Sequence, residues 1–317
     1  MSLRSFLKDN KETAFSIEVL PPLRGKSIQG IFRNIDKLME FSPAYINITT
    51  HRTEQVFLEI EDGIFTSNTI QKRPGSVAVA SALKGRYKVP TVPHIICSGF
   101  TKQEIENQLI DLNYLGIEDI LVLRGDRERG FNQFRAVNKG HLHAIDLCKQ
   151  VNDFNEGKMT DGTQTDPLSN KFCYGVAGYP EKHEEAMNLE TDLAYLKEKV
   201  AQGASYIITQ MFFDNQKYFD FVRRCRNIGI TVPIIPGIKP LTSFSQLSLL
   251  PKVFHIDFPN DLSEELIKCQ NNDEVKALGI EWGISQAREL KEHHVPSIHF
   301  YTVNATASVQ QIAKRVF

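Results

Sequence analysis

Glu18 is the residue that most needs explaining. It sits in "FSIEVLPP" (15–22), a strand-like run stopped by Pro21 and Pro22. Strand side chains alternate, so Phe15, Ile17 and Val19 share one face while Ser16, Glu18 and Leu20 share the other. With both faces covered, burial disfavours the ionised carboxyl and raises its pKa, which makes Glu18 a candidate general acid near neutral pH. A second carboxyl, Asp126, closes "LRGD" (123–126) beside Arg124, whose charge should help keep it ionised. Two carboxyls with pKa values pushed apart divide the work of acid and fixed anion. The plainer readings are a structural Glu18 paired with a buried base, and Asp126 as a turn residue after Gly125.

Something must hold these groups in place. Short runs rich in β-branched and aromatic residues recur at 13–20, 44–50, 91–97, 119–125, 172–179, 205–213, 232–238 and 298–304. Between them lie helical patterns such as 101–116 and 184–203; in the second, Leu189, Leu193, Leu196 and Val200 share a face and Gly203 ends the run. Alternating strands and helices predict parallel strands joined by crossovers. Eight such units fit a single-domain (β/α)₈ barrel over 1–317, better than two doubly wound domains, since there is no mid-chain linker and no GxGxxG after any strand. Residues 152–171, polar and rich in turn formers, read as an exposed, mobile insertion, and 241–295 must hold two or three helices.

Parallel barrels place their sites at the C-terminal ends of the strands. Those ends offer Glu18; Thr49, Thr50 and His51; His94; Arg124, Gly125 and Asp126; Tyr179 and His183; Gln210; Pro236 and Gly237; and Tyr301 and Asn304. Because strand ends lead into loops, Thr49 and Asn304 are equally well explained as ordinary loop polarity. Glu18, followed by more apolar residues, is not.

Composition narrows the partners. The chain is 41% hydrophobic with a formal net charge of −1, so no electrostatic case arises for nucleic acid or an anionic membrane. No run approaches the ~18 apolar residues of a membrane span. The N-terminus is too polar for a signal peptide. Five scattered cysteines with no CxxC pair read as reduced, mostly buried thiols of a cytoplasmic protein. "HLH" (141–143) reads as a surface histidine pair at a helix start and lacks a third metal ligand.

"FSIEVLPP", "LRGD", "AGYPEKH", "ITQMFFD" and "PGIKP", in this order, resemble the methylenetetrahydrofolate reductase family in its bacterial single-domain form, from about residue 13 to 304. The resemblance implies a flavoprotein barrel that uses FAD and NADH or NADPH to reduce 5,10-methylenetetrahydrofolate to 5-methyltetrahydrofolate, feeding methionine synthesis, and a homo-oligomer. It implies Glu18 as the acid and Asp126 as the anion facing the substrate. Gln210 and Gln246 become substrate contacts. For FAD it implies Thr49, His94, Arg124, Gly125, Asp126, Tyr179, His183, Ala186, Asp192 and Lys199, with His143 and Ala144 on a looser alignment. His183, Ala186 and Asp192 would surround one helix start, where backbone N–H groups suit a pyrophosphate.

Some positions depart from the family. Val19 and Leu20 replace common aromatics, Glu198 occupies a usually basic or polar position, and Ala305 stands where relatives often place an arginine toward the folate glutamate tail. The chain's end soon after strand eight gives the expectation of no adenosylmethionine-responsive domain. A flavin-free pterin-binding transferase on the same barrel, or a folate- or flavin-binding subunit without turnover, are the competing readings.

Overall fold

The apolar runs become strands and the amphipathic stretches become helices. The computed structural model describes residues 3–128, 130–131 and 133–317. Its strands are β1 (Ala14–Val19), β2 (Ile46–Ile48), β3 (Glu54–Glu61), β4 (Ile64–Ile70), β5 (Thr91–Ile96), β6 (Asp119–Leu123), β7 (Cys173–Gly178), β8 (Tyr206–Thr209), β9 (Ile234–Ile235), β10 (Gly237–Ile238) and β11 (Ser297–Tyr301). Its α-helices are α1 (Leu3–Asp9), α2 (Gln29–Asp36), α3 (Ser76–Tyr87), α4 (Lys102–Tyr114), α5 (Ala144–Asn155), α6 (Leu189–Ala201), α7 (Asn215–Asn227), α8 (Ser245–Phe254), α9 (Asn260–Lys268), α10 (Asn272–Glu292) and α11 (Thr306–Val316).

Nine strands lie side by side in the order β10, β11, β1, β2, β5, β6, β7, β8, β9. All neighbouring pairs are parallel. β9 and β10 are two halves of one stave interrupted at Pro236, which closes the ring as the expected (β/α)₈ barrel.

The period-2 alternation of the staves builds two cores. Phe15, Ile17 and Val19 face outward into the large layer shared with helices, where α4 contributes Ile105, Leu109 and Leu112. The local signals for α4 are complete: Thr101 caps it in a reciprocal capping box with Glu104. Inside the ring, Tyr45, Val92, Leu121, Tyr206, Ile208 and Ile235 meet Leu3 and Leu7 of α1. α1 therefore plugs the N-terminal mouth, held where the Leu3 N–H donates to Asp119 Oδ1 (3.0 Å) at the start of β6. Tyr206 crosses the interior to donate to the Ile120 carbonyl (3.0 Å). It passes over Gly175, where a Cβ would lie 2.1 Å from its ring.

Three features differ from the sequence reading. An antiparallel hairpin, β3–β4, stands outside the barrel between β2 and α3, although its Asp62–Gly63 turn is a standard hairpin signal. The 152–171 stretch is largely exposed from 160 to 171 but anchored: Glu106 accepts from the Thr160 N–H (2.6 Å) and hydroxyl (3.0 Å) partway along it, and Asn155 near its start bonds both backbone groups of Phe172 just past its end. Finally, His183 and Ala186 precede α6, which begins at Leu189 behind an Asn188 cap. The 241–295 region holds three helices, α8 to α10.

Candidate active site at the C-terminal rim of the barrel

Strand register brings the inward polar residues of β1 and its neighbours together. Glu18 is level with Asn47 on one side and Tyr301 on the other, and Ser16 is level with His299. The Glu18 side chain is 12% exposed, with Oε2 3.5 Å from His94 Nε2 and 3.9 Å from His299 Nε2. Its backbone carbonyl is fixed by the Thr302 hydroxyl (2.6 Å). His94 Nε2 also lies 3.2 Å from Asn47 Nδ2, while Asn47 Oδ1 and His299 Nε2 are buried without a hydrogen-bond partner. His299 Nδ1 meets the Ser16 hydroxyl at 3.0 Å.

This arrangement can hold a proton in two places. With Asn47 donating, His94 Nε2 is an acceptor and the facing Glu18 oxygen is the proton's place. With the amide turned end for end, Asn47 Oδ1 accepts from a protonated Nε2 and Glu18 is the anion.

The electrostatics correct one expectation. Burial pushes the Glu18 pKa up, but His299, His94 and Lys239 together outweigh it and hold the carboxyl below its ordinary value. His94 is pushed down to about 4, chiefly by burial, against the pull of Glu18. Burial pushes Lys239 down while Glu18 draws it up; its ammonium is fixed by the Val303 carbonyl (3.0 Å). Sequence reasoning missed Asn47, His299 and Lys239. The alternation of Ser297, His299 and Tyr301 against Ile298 and Phe300 was the available signal for His299; Lys239, beyond its strand end, had none.

The second carboxyl is placed differently. Gly125 has φ 81°, and a Cβ there would lie 2.9 Å from Ser98 Cβ, so only glycine permits the turn. Ser98 then pins the segment, its hydroxyl donating to the Asp126 carbonyl (2.7 Å). Asp126 is exposed, with no ion pair among the described residues. Arg124 does not serve it: the guanidinium pairs with Glu185, reaches Glu184 at 3.8 Å and stacks over Phe134 at 4.7 Å. Arg127 (3.0 Å) and His255 (3.1 Å) also meet Glu184. His51 at the end of the second stave is within electrostatic reach of both Glu18 and Asp126, so the two carboxyls share one region of the rim.

The remaining sequence-predicted residues divide into two groups. Around the fifth stave, Tyr179 stands edge-on to His183 (4.7 Å), and burial pushes its hydroxyl pKa up. The His183 N–H donates to Asp192 (3.0 Å), Lys182 bridges the His183 and Ala186 carbonyls, and Lys199 donates to the Ala177 carbonyl (3.0 Å). Asp192 and Lys199 thus brace the loop from behind. Thr49 lies 3.4 Å from His51; Gln210 Oε1 accepts from the next backbone N–H (2.9 Å); Gln246 Oε1 gathers the Thr242 and Ser243 N–H groups (2.6 and 3.2 Å). Elsewhere, His143 is exposed as the residue before α5 and Ala144 begins that helix. His141 is not a surface residue: it is buried against Gln150 (2.5 Å).

The rim residues suit a flat polar group with an anionic arm, as FAD is. Arg124 Nε is buried without a partner, Gly125 lets the backbone come close, and the Tyr179–His183 ring pair offers an aromatic edge. Among the described residues no cluster of three or more metal-ligating side chains occurs, and no helix is long and apolar enough to cross a membrane. All five cysteines are free.

Eight parallel staves with ionisable groups gathered at their C-terminal ends define the class of (β/α)₈ barrels that carry their functional site on that rim. Comparison with known proteins makes this specific: residues 3–316 match the methylenetetrahydrofolate reductase family, and the chain belongs to it. It is 30% identical to 5,10-methylenetetrahydrofolate reductase of Salmonella typhimurium, over 91% of this chain and 86% of that protein. It is 31% identical to methylenetetrahydrofolate reductase (NADH) 1 of Arabidopsis thaliana over 94% of this chain, and 30% identical to a probable NADPH form from Caenorhabditis elegans. The chain spans about half the length of these two longer relatives (47% and 43%). Among solved structures, a Clostridium thermocellum protein that binds two copies of 5-methyl-5,6,7,8-tetrahydrofolic acid shares the fold, with a TM-score of 0.57 at 15% identity, over 99% of this chain and 98% of that one.

Proposed function

We propose that this protein reduces 5,10-methylenetetrahydrofolate to 5-methyltetrahydrofolate, with NADH or NADPH as electron donor and FAD as cofactor. It acts as one barrel domain over 1–317, in the cytoplasm, as a homo-oligomer. Support comes from family membership joined to one observation: a largely buried carboxyl between two histidines, on the same rim as an exposed carboxyl that makes no ion pair among the described residues. FAD, when bound, carries the hydride from the nicotinamide to the folate.

The residues supply the rest. Hydride can reach the methylene carbon only after the five-membered ring opens: the departing nitrogen takes a proton, its bond to the methylene carbon breaks, and a cationic iminium remains. Glu18 gives that proton, and Asp126 faces the positive charge that develops. Arg124, Gly125, Thr49, Tyr179, His183 and Ala186 form the cofactor's bed, with Asp192 and Lys199 holding that bed in shape. The Gln210 amide both donates and accepts, which suits folate and nicotinamide in turn, and Gln246 presents its amide nitrogen to the folate.

Glu18 enters this cycle ionised. Burial is already the largest single influence on it, and it pushes upward. A flat ligand over the rim removes the remaining exposure and adds to that push, so Glu18 takes up its proton as substrate arrives. Folate-analogue binding is therefore expected to consume protons, which calorimetry in two buffers of different ionisation enthalpy reads directly.

The deciding experiment is anaerobic absorbance. Purified protein should be yellow, bleach with NADH or NADPH, and regain colour with methylenetetrahydrofolate. A colourless protein that binds folate points to a flavin-free transferase, and one that bleaches without reoxidation by folate points to a binding subunit. Glu18→Gln should bleach normally while folate reduction falls by ~10²–10⁴; equal loss of both half-reactions would make Glu18 structural.

A further inference from the structure

Ser16 shares the inward face of β1 with Glu18, two residues along the strand. It is fully buried, as are His299, Ser297 and Tyr45. Its hydroxyl lies 3.0 Å from His299 Nδ1, 3.2 Å from the Ile298 carbonyl and 3.1 Å from the Ser297 hydroxyl. Ser297 donates to the Ala14 carbonyl (3.1 Å) and accepts from Tyr45 (3.4 Å). Among the described residues, Ser16 is the one hydrogen-bond partner of Nδ1.

The His299 ring is held in place by its neighbours. Tyr45 stacks on it (5.9 Å between centroids, 8° between planes) and Tyr301 stands edge-on (5.5 Å, 88°). With its orientation fixed, a neutral imidazole adapts only through its tautomer: one nitrogen donates and the other accepts. Which nitrogen carries the proton is set by the bond the other one makes. A proton on Nδ1 would leave a lone pair on the buried Nε2, which has no hydrogen-bond partner of its own and faces the Glu18 carboxylate. A proton on Nε2 turns a donor toward that carboxylate instead. It requires a donor at Nδ1, and the Ser16 hydroxyl supplies one.

Both histidines meet the same Glu18 oxygen. His94 Nε2 (3.5 Å) and His299 Nε2 (3.9 Å) approach Oε2, while Oε1 has no ion pair or hydrogen bond among the described residues. A protonated carboxyl carries its proton on one oxygen and accepts through the other. Resting on the reading of Glu18 as the acid, we propose that Ser16 is its positioning residue. The Ser16 hydroxyl donates to His299 Nδ1, the ring proton stays on Nε2, and Glu18 carries its acidic proton on Oε1, the oxygen left to the folate. Of the two arrangements open to His94, the one with its proton on Nε2 then applies. At ring opening the Oε1 proton passes to the departing nitrogen, and the Nε2 donors remain on Oε2 to hold the carboxylate left behind. Without Ser16 the ring proton is free to sit on Nδ1, and Nε2 then accepts from a protonated Oε2, which faces away from the folate.

Nitrogen NMR of histidine-labelled protein reads the tautomer directly, with the His299 signals assigned by their loss in His299→Gln. In the wild type, Nε2 is expected to carry the proton and Nδ1 to be bare; in Ser16→Ala the two forms should mix. In anaerobic half-reactions, Ser16→Ala should accept hydride from NADH or NADPH normally. Its folate reduction at saturating folate should fall about tenfold, the worth of one hydrogen bond. His299→Gln sets an amide N–H in place of Nε2–H and has no tautomer to lose, so adding Ser16→Ala to it should bring no further loss. A wild-type spectrum with the proton on Nδ1, a Ser16→Ala folate half-reaction at the wild-type rate, or the same loss from Ser16→Ala in both backgrounds would each overturn the proposal. Should Ser16→Ala fail to fold, the wild-type spectrum still decides. A wild type with the expected spectrum but no folate reduction would instead overturn the reading of Glu18 as the acid.

Discussion

Glu18 shows how little of a carboxyl's behaviour burial decides alone. Its position on an apolar strand argues for a raised pKa, yet His299 and His94, with a smaller pull from Lys239, reverse the sign. Lys239 is the informative residue to change, because it stands off the barrel wall on the loop after β10. Lys239→Met removes a cation that favours the anion, so the Glu18 pKa should rise. The pH limb of folate reduction that follows Glu18 is expected to move to higher pH, while Lys239→Arg keeps it in place. An unmoved limb in Lys239→Met, measured on the folate half-reaction, would mean that the ammonium does not act on Glu18.

At the scale of elements, α1 closes the barrel floor through Asp119. This carboxyl is nearly buried, and burial, partly offset by the Leu3 N–H bond, raises its pKa from 3.8 to about 6. A pKa higher in the folded than in the unfolded chain stabilises below the unfolded value and loses that contribution as pH rises through the folded one. Wild type should therefore lose roughly 2–3 kcal/mol from this group between about pH 4 and pH 6. Asp119→Asn keeps the acceptor for Leu3 and removes the charge. It should be more stable than wild type by that amount at pH 8 and no more stable at pH 4, by urea unfolding at the two pH values.

Across the whole molecule, one interior layer ties the staves together. Tyr206 spans from β8 to the β6 carbonyl over Gly175, with Val92, Leu121, Ile208 and Ile235 in the same cluster and α1 beneath. Tyr206→Ala would open a cavity at the centre of the ring and should cost ~3–5 kcal/mol. Because the chain unfolds from the same barrel to the same coil, the urea slope should stay unchanged while the midpoint falls. A near-neutral effect would mean that the interior repacks around the lost ring.

The sequence by itself determined the strand–helix rhythm, the barrel, the rim positions of Glu18 and Asp126, and the family. Each of these is written in local periodicity or in contiguous motifs, and neighbours along the chain suffice to read them. The tertiary structure alone decided which charges meet. Arg124 sits two residues from Asp126 yet pairs with Glu184 and Glu185, some sixty residues away. Glu18 finds His94 and His299 from staves far apart in sequence. Electrostatic energy depends on distance through space and on burial, and a folded ring sets both by joining its first stave to its last.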